Sequence, residues 1–372
     1  MKLLNLMIYI LNLIYIPFKK LKIKNRITMI SRESHNVNPD FLMLKKEIEE
    51  LDPTVEVVCL CKMLKNGILA KIGYMLHMVK QMYYLATSKV IVLDTYCIVA
   101  SVLKKREGTK IIQIWHSSAA IKKFGYETLD KESGSSSKVA KVMNMHGNYD
   151  FAIAPSRVTG KFFARGFNLP EEKIKILGLP RLDLITDNKK MANNGQSILD
   201  ACPEINNGKI NVLYAPTFRK NKAIELDPII DNFNFEKYNL IVKVHPLDEF
   251  HMSSNNPGVI IDQKFPTNHW FYVCQKIISD YSAIGIESTL LDREVYYYLY
   301  DLDEYDRTTG INIDFSMESI KDYVAKDGKT LCQILDRPYD QEKRIAFRDK
   351  YIEVYGENNT RNLAFFLLEI KK

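Results

Sequence analysis

The 372-residue sequence lacks the short motifs that mark the common nucleotide-binding and zinc-dependent enzymes. It contains no G-x-x-x-x-G-K-S/T loop, no G-x-G-x-x-G after a predicted strand and no H-E-x-x-H. Its six cysteines are scattered, and no second cysteine or histidine pair joins Cys59 and Cys61 to complete a zinc site. We therefore predict a protein without cofactor or metal ion, in a reducing, cytoplasmic compartment.

Net positive charge is small outside one short segment. The formal net charge is +7, and five of those charges fall within eight residues, at Lys19, Lys20, Lys22, Lys24 and Arg26. Only about +2 remains for the rest of the sequence. A nucleic-acid surface needs a broad basic patch or stripe, so we expect no nucleic-acid partner.

The N-terminal apolar run is too short to cross a bilayer. As a helix, residues 3–16 would cover about 21 Å, against roughly 30 Å of hydrocarbon. Asn5, Tyr9 and Asn12 form one polar stripe on this helix, and the basic cluster follows it. We therefore predict that residues 1–25 bind an anionic membrane surface and make the protein peripheral at the cytoplasmic face of the membrane. The alternative is a helix packed on the protein's own core. A signal peptide would have its charge before the apolar run.

From residue 26 onward, strand-like segments alternate with helix-like segments. Such alternation predicts parallel sheets covered by helices on both faces, and the length of the chain suggests two domains. Residues 187–209 are polar and rich in asparagine, so we interpret them as a linker between domains 26–186 and 210–372. In folds of this kind the site lies beyond the carboxyl ends of the strands. The segments predicted as strands are 26–31, 55–60, 89–94, 110–116, 151–156, 174–180, 210–216, 239–246, 258–262, 276–282 and 294–299.

Basic and hydroxyl side chains follow these predicted strands where the strands end. Cations and N–H donors stabilise phosphate oxygens, so the set suits an anionic, phosphate-bearing substrate. The residues are Trp115, His116 and Lys122 in the first half, and Thr217, Arg219, Lys243, His245 and Ser282 in the second half.

Each of these residues also has a purely structural interpretation. A lone histidine such as His116 is commonly a hydrogen-bonded core residue, and Ser282 could simply cap a helix. Arg219 could lie in a solvated turn. Asp301 and Asp303 form a D-x-D pair of the kind that holds a metal-bound nucleotide, but a solvated acidic turn is the simpler interpretation, and we favour a metal-independent reaction.

Several short motifs, taken in order, resemble the CDP-glycerol glycerophosphotransferases, which include the teichoic acid primases and polymerases. The resemblance spans residues 90–315. The motifs are W-H-x-x-x-x-I-K-x-F-G (115–125), A-P-S (154–156), G-L-P-R-L-D (178–183), L-Y-A-P-T-F-R (213–219), K-V-H-P (243–246), D-Y-S (280–282) and Y-D-L-D-E-Y-D (300–306).

The resemblance implies a GT-B-like α/β fold with two Rossmann-like domains facing across a cleft. The N-terminal domain would hold the acceptor and the C-terminal domain the CDP-glycerol. An acceptor hydroxyl would attack the β-phosphorus of CDP-glycerol and release CMP. The acceptor would be an undecaprenyl-linked saccharide or polymer at the membrane, in synthesis of teichoic acid or a related cell-wall or capsule polymer.

The resemblance also implies roles for single residues. His116 would be the general base on the acceptor hydroxyl, and His245 would stabilise the pyrophosphate. Glu287 would accept hydrogen bonds from the ribose, and Trp115, Lys122 and Arg181 would lie near the cleft. The residues expected to help bind the donor phosphates are Thr217, Arg219, Lys243 and Ser282.

The chain departs from the family pattern at three positions, and other functions stay open. Ser117 stands where the family has glycine, Ala283 replaces a serine, and Thr309 replaces an arginine. The alternatives are a GT-B glycosyltransferase that uses a nucleotide sugar, a transferase of ribitol phosphate from CDP-ribitol, and a degenerate member that binds membrane or glycan without turnover. The retention of His116 and His245 argues against the last of these.

Overall fold

The computed structural model describes residues 1–219, 223–244, 249–253, 256–356 and 358–371. The chain divides into two compact units. Unit 1 comprises Met1–Ser118, Lys123–Asp183 and Val354–Lys372, and unit 2 comprises Ala119–Lys122 and Leu184–Glu353.

Unit 1 is built on a six-stranded parallel sheet with strand order β2-β1-β3-β4-β5-β6. The order reverses between β1 and β3, and in open parallel sheets ligands bind beyond the carboxyl ends of the strands at such a reversal. The strands are β1 Lys24–Ser31, β2 Glu56–Cys61, β3 Ser88–Leu93, β4 Lys110–Gln113, β5 Phe151–Ala154 and β6 Ile174–Ile176. The helices are α1 Lys2–Lys19, α2 Pro39–Leu51, α3 Ile68–Thr87, α4 Ile98–Val102, α5 Ser137–Val142, α6 Arg157–Phe167 and α7 Pro180–Thr186, the last of which continues into unit 2.

Unit 2 contains a second six-stranded parallel sheet, of order β11-β9-β7-β12-β13-β14, and a two-stranded sheet of β8 and β10. In chain order its six strands follow the 3-2-1-4-5-6 arrangement of the Rossmann fold, with the reversal between β7 and β12. The strands are β7 Ile210–Tyr214, β8 Ile224–Glu225, β9 Tyr238–Lys243, β10 Phe250–His251, β11 Val259–Asp262, β12 Lys276–Ser279, β13 Glu294–Tyr298 and β14 Val324–Ala325. The helices are α8 Asn188–Ala201, α9 Asp227–Ile230, α10 Ile284–Glu287, α11 Leu302–Thr308, α12 Gly328–Leu335 and α13 Gln341–Tyr351.

The predicted linker is a folded part of unit 2. Residues 188–201 form α8, whose N-terminus is capped by the Asp187 carboxylate, which accepts hydrogen bonds from the backbone N–H groups of Lys189 and Lys190. Ile198 is fully buried in the core of unit 2. The abundance of asparagine, a poor helix former, suggested a linker, but a good cap and a buried apolar anchor outweigh that preference.

The chain crosses between the units more often than the sequence predicted. Residues 354–372, which we assigned to the C-terminal domain, belong to unit 1 and form α14, Asn359–Ile370. Residues 119–122, which we assigned to the N-terminal domain, belong to unit 2. The predicted boundary at residue 186 lies at residue 183. The predicted strands are all found. Several end before their predicted carboxyl ends, and residues 245–246 of the predicted strand 239–246 lie outside the described residues.

The N-terminal helix α1 packs on the protein and also keeps apolar residues exposed. Tyr15 is buried, and Asn12 contacts the protein through hydrogen bonds to the carbonyl oxygen of Val102 and from the backbone N–H of Lys104. The predicted polar stripe is therefore split, because Asn5 and Tyr9 are exposed while Asn12 is half-buried. Within the described part of the chain, no helix combines the length and apolar character needed to cross a bilayer.

Candidate functional site

His116 follows β4 through a turn that aromatic packing holds in place. Trp115 adopts φ 56°, a left-handed conformation that costs energy for a bulky side chain. Its backbone N–H donates to the side-chain oxygen of Gln113 at 2.9 Å, and its indole stacks on Phe124 with a centroid separation of 5.0 Å. Phe167 packs edge-on against the indole at 5.2 Å. Trp115 thus anchors the turn, and the His116 side chain that follows is 41% exposed.

Gly125 is the last residue of the same motif, and sterics explain why it is glycine. Its φ is +58°, and a Cβ atom there would lie 2.1 Å from the carbonyl oxygen of Gly166. Only glycine fits this close approach, which brings the segment of Phe124 against α6 and completes the aromatic packing around Trp115.

The imidazole of His116 is oriented by the ends of two other strands. Its Nδ1 lies 3.2 Å from the carbonyl oxygen of Asp94, which directly follows β3. A carbonyl oxygen can only accept, so Nδ1 carries the proton and Nε2 carries the lone pair. The carboxylate of Glu33, two residues after β1, lies 4.0 Å from the same Nδ1. The sequence showed no acidic residue beside His116, and only the strand order brings Glu33 and Asp94 to it.

Asp94 is a buried carboxyl group at this strand edge. Its Oδ2 accepts a hydrogen bond from the Asn38 side chain at 2.7 Å. Burial, reinforced by the nearby Glu33, raises the pKa of Asp94 to about 6, although hydrogen bonds from its neighbours oppose the shift. The group therefore titrates in the same pH range as an ordinary histidine.

Arg181 supports the segment that carries His116. One guanidinium nitrogen donates to the backbone carbonyl oxygen of His116, and another donates to Asp40 at 2.6 Å. Asp40 lies in the first turn of α2. Arg181 therefore ties the turn after β4 to α2, which is a positioning role that the sequence did not reveal.

In unit 2, Arg219 lies in a buried cluster with Asp280 and Asp301. Its guanidinium donates to Asp301 at 2.9 Å, to Asp280 at 2.9 Å and to the carbonyl oxygen of Thr217 at 2.7 Å. Burial opposes its charge, but the two carboxylates outweigh burial and raise the pKa of Arg219. Tyr281 and Tyr305 stack on each other at 3.9 Å, with the guanidinium 5.2 Å and 4.7 Å from their ring centroids.

These contacts change the interpretation of Arg219. We predicted a phosphate ligand, whereas the guanidinium is engaged by two carboxylates, so we interpret it as the residue that holds the ends of β12 and β13 together. Thr217 is tied into the same cluster, since its N–H and hydroxyl both donate to Asp280, the hydroxyl at 2.6 Å.

Lys243 is engaged in a similar way at the end of β9. Its ammonium group donates to Asp262 at 2.9 Å, and the indole N–H of Trp270 donates to the same carboxylate at 2.9 Å. Burial raises the pKa of Asp262, but the hydrogen bonds from Lys243 and Trp270 outweigh it and the pKa is lowered. Lys243 therefore joins β9 to the end of β11.

The other predicted donor residues occupy the end of β12 and the segment after it. The Ser282 hydroxyl accepts a hydrogen bond from the backbone N–H of Ile284 at 3.3 Å, as a residue that caps a helical turn does. Glu287 is buried at the end of α10. His245 lies outside the described residues, as do Lys220 and Lys222.

Lys122 belongs to unit 2, although it is close in sequence to His116. It forms an isolated antiparallel bridge with Ile311, and the Asn312 N–H donates to the carbonyl oxygen of Ile121 at 2.7 Å. Burial lowers the pKa of Lys122 against the attraction of Asp280. The residue is nevertheless exposed to solvent, which favours its charged form.

The acidic turn after β13 is divided between two environments. Both oxygens of Asp301 accept hydrogen bonds, one from Arg219 and the other from the Tyr281 hydroxyl at 3.1 Å. Asp303 is exposed in the first turn of α11. Across the described residues, no group of three or more His, Cys, Asp or Glu side chains could hold a metal ion.

Relatives of known activity match most of this chain. It is 27% identical over 355 residues to the teichoic acid ribitol-phosphate primase of Bacillus spizizenii, covering 92% of this chain and 90% of that protein. It is also 27% identical over 345 residues to the teichoic acid glycerol-phosphate primase of Bacillus subtilis, covering 90% and 85% of the two chains.

Solved structures confirm the predicted GT-B-like α/β fold. The wall teichoic acid polymerase TagF superposes with a TM-score of 0.68 at 18% identity, covering 99% of this chain and 95% of that chain. The UDP-GlcNAc 2-epimerase of Methanocaldococcus jannaschii superposes with a TM-score of 0.52 at 12% identity, covering 92% and 99%. Likenesses at such low identity concern the fold alone.

The match to a family profile decides the assignment that the motifs predicted. The profile described as CDP-glycerol:poly(glycerophosphate) glycerophosphotransferase covers residues 13–369, nearly the whole chain. The predicted resemblance and the predicted enzyme class are therefore confirmed, and the chain belongs to the CDP-glycerol:poly(glycerophosphate) glycerophosphotransferase family.

Proposed function

We propose that the protein transfers glycerol phosphate from CDP-glycerol to a hydroxyl group of a membrane-linked acceptor in the synthesis of teichoic acid or a related polymer. The acceptor oxygen forms a bond to the β-phosphorus, the bond from that phosphorus to the bridging oxygen breaks, and CMP leaves with the electron pair. The hydroxyl proton passes to a base. The acceptor that we propose is an undecaprenyl-linked saccharide or polymer, at the cytoplasmic face of the membrane.

The orientation of His116 carries this proposal. Its Nδ1 is directed at the carbonyl oxygen of Asp94 at 3.2 Å, which leaves the lone pair on Nε2. A neutral imidazole is well suited to take a proton near pH 7, and the residue lies beyond the carboxyl end of its strand, where ligands bind in such sheets. His116 is therefore the general base in this scheme.

The donor is assigned to unit 2, at the reversal of strand order between β7 and β12. Ser282 and Glu287 follow β12, and Thr217 follows β7. Lys122 adds a cation from the segment that belongs to this unit, and His245 and Lys243 complete the predicted set. Arg219 acts indirectly in this scheme, by holding Asp280 and Asp301.

CDP-ribitol is a second candidate donor, from which ribitol phosphate would be transferred. The ribitol-phosphate primase and the glycerol-phosphate primase are each 27% identical to this chain over at least 85% of their length. Because sequence identity is equal for the two relatives, both CDP-polyols are included in the test.

The test is to offer the purified protein CDP-glycerol, CDP-ribitol and common nucleotide sugars with a saccharide acceptor, and to measure the released nucleotide. We expect CMP from a CDP-polyol and no turnover of the sugars. Turnover of a nucleotide sugar alone would overturn the proposal in favour of a glycosyltransferase. The length of the product separates addition of a single unit from polymerisation.

His116→Ala should lower kcat by about 10² to 10⁴ and leave the affinity for CDP-glycerol nearly unchanged. His251→Ala is the matched control, since His251 is an exposed histidine of unit 2 paired with Glu225. Normal turnover in a folded His116→Ala protein would remove His116 from the role of base.

We further propose that α1 and α3 together form the membrane-binding surface, which we call the α1–α3 surface. The two helices pack against each other, with Phe18 of α1 edge-on to Tyr83 of α3 at 6.4 Å. The exposed apolar residues of this surface are Leu6, Met7, Ile10, Leu13 and Ile14 on α1, and Ile68, Leu69, Ile72, Met75, Leu76 and Val79 on α3.

The distribution of charged residues supports an anionic lipid membrane as the binding partner of the α1–α3 surface. Residues 1–32 and 62–93 contain no aspartate or glutamate. Lysines follow α1, Lys65 precedes α3, and Lys71 and Lys80 lie within α3. Burial of apolar side chains and attraction between lysine and anionic lipid would add, with about 1 kcal/mol from each basic residue near the surface.

The test is vesicle co-sedimentation of the full chain carrying Leu69→Ser and Leu76→Ser, whose leucines are 85% and 69% exposed. We expect binding to vesicles with anionic lipid to fall at least about tenfold, because each leucine loses apolar burial of about 1 kcal/mol or more. Met317→Ser is the control, since Met317 is 79% exposed in unit 2. Unchanged binding of the double variant would contradict the proposal.

A further inference from the structure

Glu33 is an acidic residue that lies beside His116 in the structure, although the two are far apart in the sequence. Its carboxylate lies 4.0 Å from Nδ1 of His116, the nitrogen that also faces the carbonyl oxygen of Asp94. The Glu33 side chain is 52% exposed and that of His116 is 41% exposed, so both groups reach solvent. The two residues follow β1 and β4, which lie on either side of β3 in the sheet.

The backbone around Glu33 is held by local hydrogen bonds. Its N–H donates to the Ser31 hydroxyl at 3.2 Å, and the N–H of Arg32 donates to Thr95 at 3.2 Å. Arg32 also donates to the carbonyl oxygen of Tyr96 at 3.0 Å. The end of β1 is therefore tied to the segment after β3, and Glu33 is kept on the same edge as His116.

Other charged groups surround the imidazole on this edge. Asp94 follows β3 and is buried, and Arg181 of α7 donates to the backbone oxygen of His116 and to Asp40 of α2. The charge of Arg181 is paired with Asp40. Among the described residues, Glu33 thus places an exposed carboxylate 4.0 Å from Nδ1 of His116.

We propose that Glu33 is a positioning residue that holds the His116 imidazole and stabilises the imidazolium formed when the base takes the acceptor proton. This inference rests on the proposed function, in which His116 is the base. As the acceptor oxygen bonds to phosphorus, its proton moves to Nε2 and the ring becomes positive. The Glu33 carboxylate, beside Nδ1, then faces a full positive charge, and their attraction lowers the barrier.

The test combines NMR titration of His116 with kinetics in Glu33→Gln, which removes the charge and keeps the shape. An exposed pair of this kind changes an equilibrium by up to about fivefold, so the midpoint of His116 protonation should fall by about half a pH unit. The kcat value should fall by up to about fivefold, with KM for CDP-glycerol unchanged. Glu33→Asp should recover part of both effects.

Two controls make the result specific. Glu50→Gln removes an equally exposed carboxylate, 53% exposed and paired with Lys46 at the far end of α2, and should change neither value. The titration is repeated in Asp94→Asn, because Asp94 titrates in the same range. An unshifted His116 midpoint in Glu33→Gln overturns the inference, whatever the turnover. Failure of the proposed function would appear separately, as normal turnover in His116→Ala.

Discussion

Arg219 shows how a cation at a strand end can serve structure before it serves substrate. Its guanidinium is shared between Asp280 and Asp301, and all three side chains are buried. Removal of one member of such a group leaves uncompensated buried charge, whereas an exposed ion pair contributes little.

We therefore expect Arg219→Ala to lower the free energy of unfolding by about 3 to 5 kcal/mol, measured by urea denaturation. Arg219→Lys keeps the charge but loses the planar fork, so its loss should be smaller. Lys237→Ala, at an exposed pair with Asp336, is the control and should have little effect. A stable Arg219→Ala protein that had lost only donor affinity would restore the phosphate role that we first predicted.

Asp94 should make the free energy of unfolding decrease as pH rises, which is the opposite of the usual effect of an aspartate in an ion pair. Burial raises its pKa to about 6, so the folded protein retains a proton that the unfolded chain releases near pH 4. The contribution of Asp94 to stability therefore falls as pH rises through 4 to 6 and stays low above that range.

The expected result is that Asp94→Asn gains stability relative to the parent protein by about 2 kcal/mol between pH 4 and pH 8. The measurement is urea denaturation of both proteins across that range. Asp336→Asn should show the opposite trend, because Lys237 lowers the pKa of Asp336. A pH-independent difference for Asp94→Asn would mean that its carboxyl titrates normally.

At the scale of elements, two residues of the G-L-P-R-L-D motif, both in the short helix α7, stabilise two different segments of unit 1. Arg181 holds the His116 turn, and Asp183 caps α14, the helix that returns to unit 1. The Asp183 carboxylate accepts hydrogen bonds from the backbone N–H groups of Asn359 at 3.0 Å and Thr360 at 2.7 Å, and from both side chains.

Asp183→Ala should destabilise unit 1 by about 1 to 3 kcal/mol, since the cap and its charge–dipole attraction are lost together. We expect faster amide hydrogen exchange along α14, which packs on α2 and buries Leu363 and Leu367. Asp327→Ala removes the comparable cap of α12 in unit 2 and should leave α14 protected. Equal exchange in both variants would show that packing alone holds the helix.

At the scale of the whole molecule, several carboxylates at the ends of the two parallel sheets are paired with cations. Arg219 is paired with both Asp280 and Asp301, Lys243 with Asp262, and Arg181 with Asp40. Carboxylates that already accept from cations are poor ligands for a divalent ion, which prefers several free oxygens.

We therefore expect turnover to persist in EDTA, measured as CMP release with and without added magnesium or manganese. Asp303→Asn should also leave turnover unchanged, because Asp303 is exposed in the first turn of α11. If turnover strictly required a divalent ion and was lost in Asp303→Asn, the D-x-D pair would instead be assigned to metal binding.

The sequence determined most of the local elements and the family, although it missed α8. Runs of isoleucine and valine mark the strands because a strand buried on both faces needs apolar side chains at successive positions. Motifs after those strands predicted His116, Thr217 and Ser282 at strand ends, which is where they lie. The amphipathic N-terminus was predicted as a helix, but which of its faces packs on the protein was not.

Only the tertiary structure decided strand order, ion pairing and the course of the chain between the units. Glu33 reaches His116 because β1 lies next to β3, and Arg219 pairs with Asp280 and Asp301 because β12 and β13 are adjacent. These contacts join residues far apart in sequence, and no local periodicity encodes them. The return of α14 to unit 1 depends on the Asp183 cap and on packing against α2. Local preference acts within one turn or strand, whereas non-local packing and hydrogen bonding select among the arrangements that local preference allows.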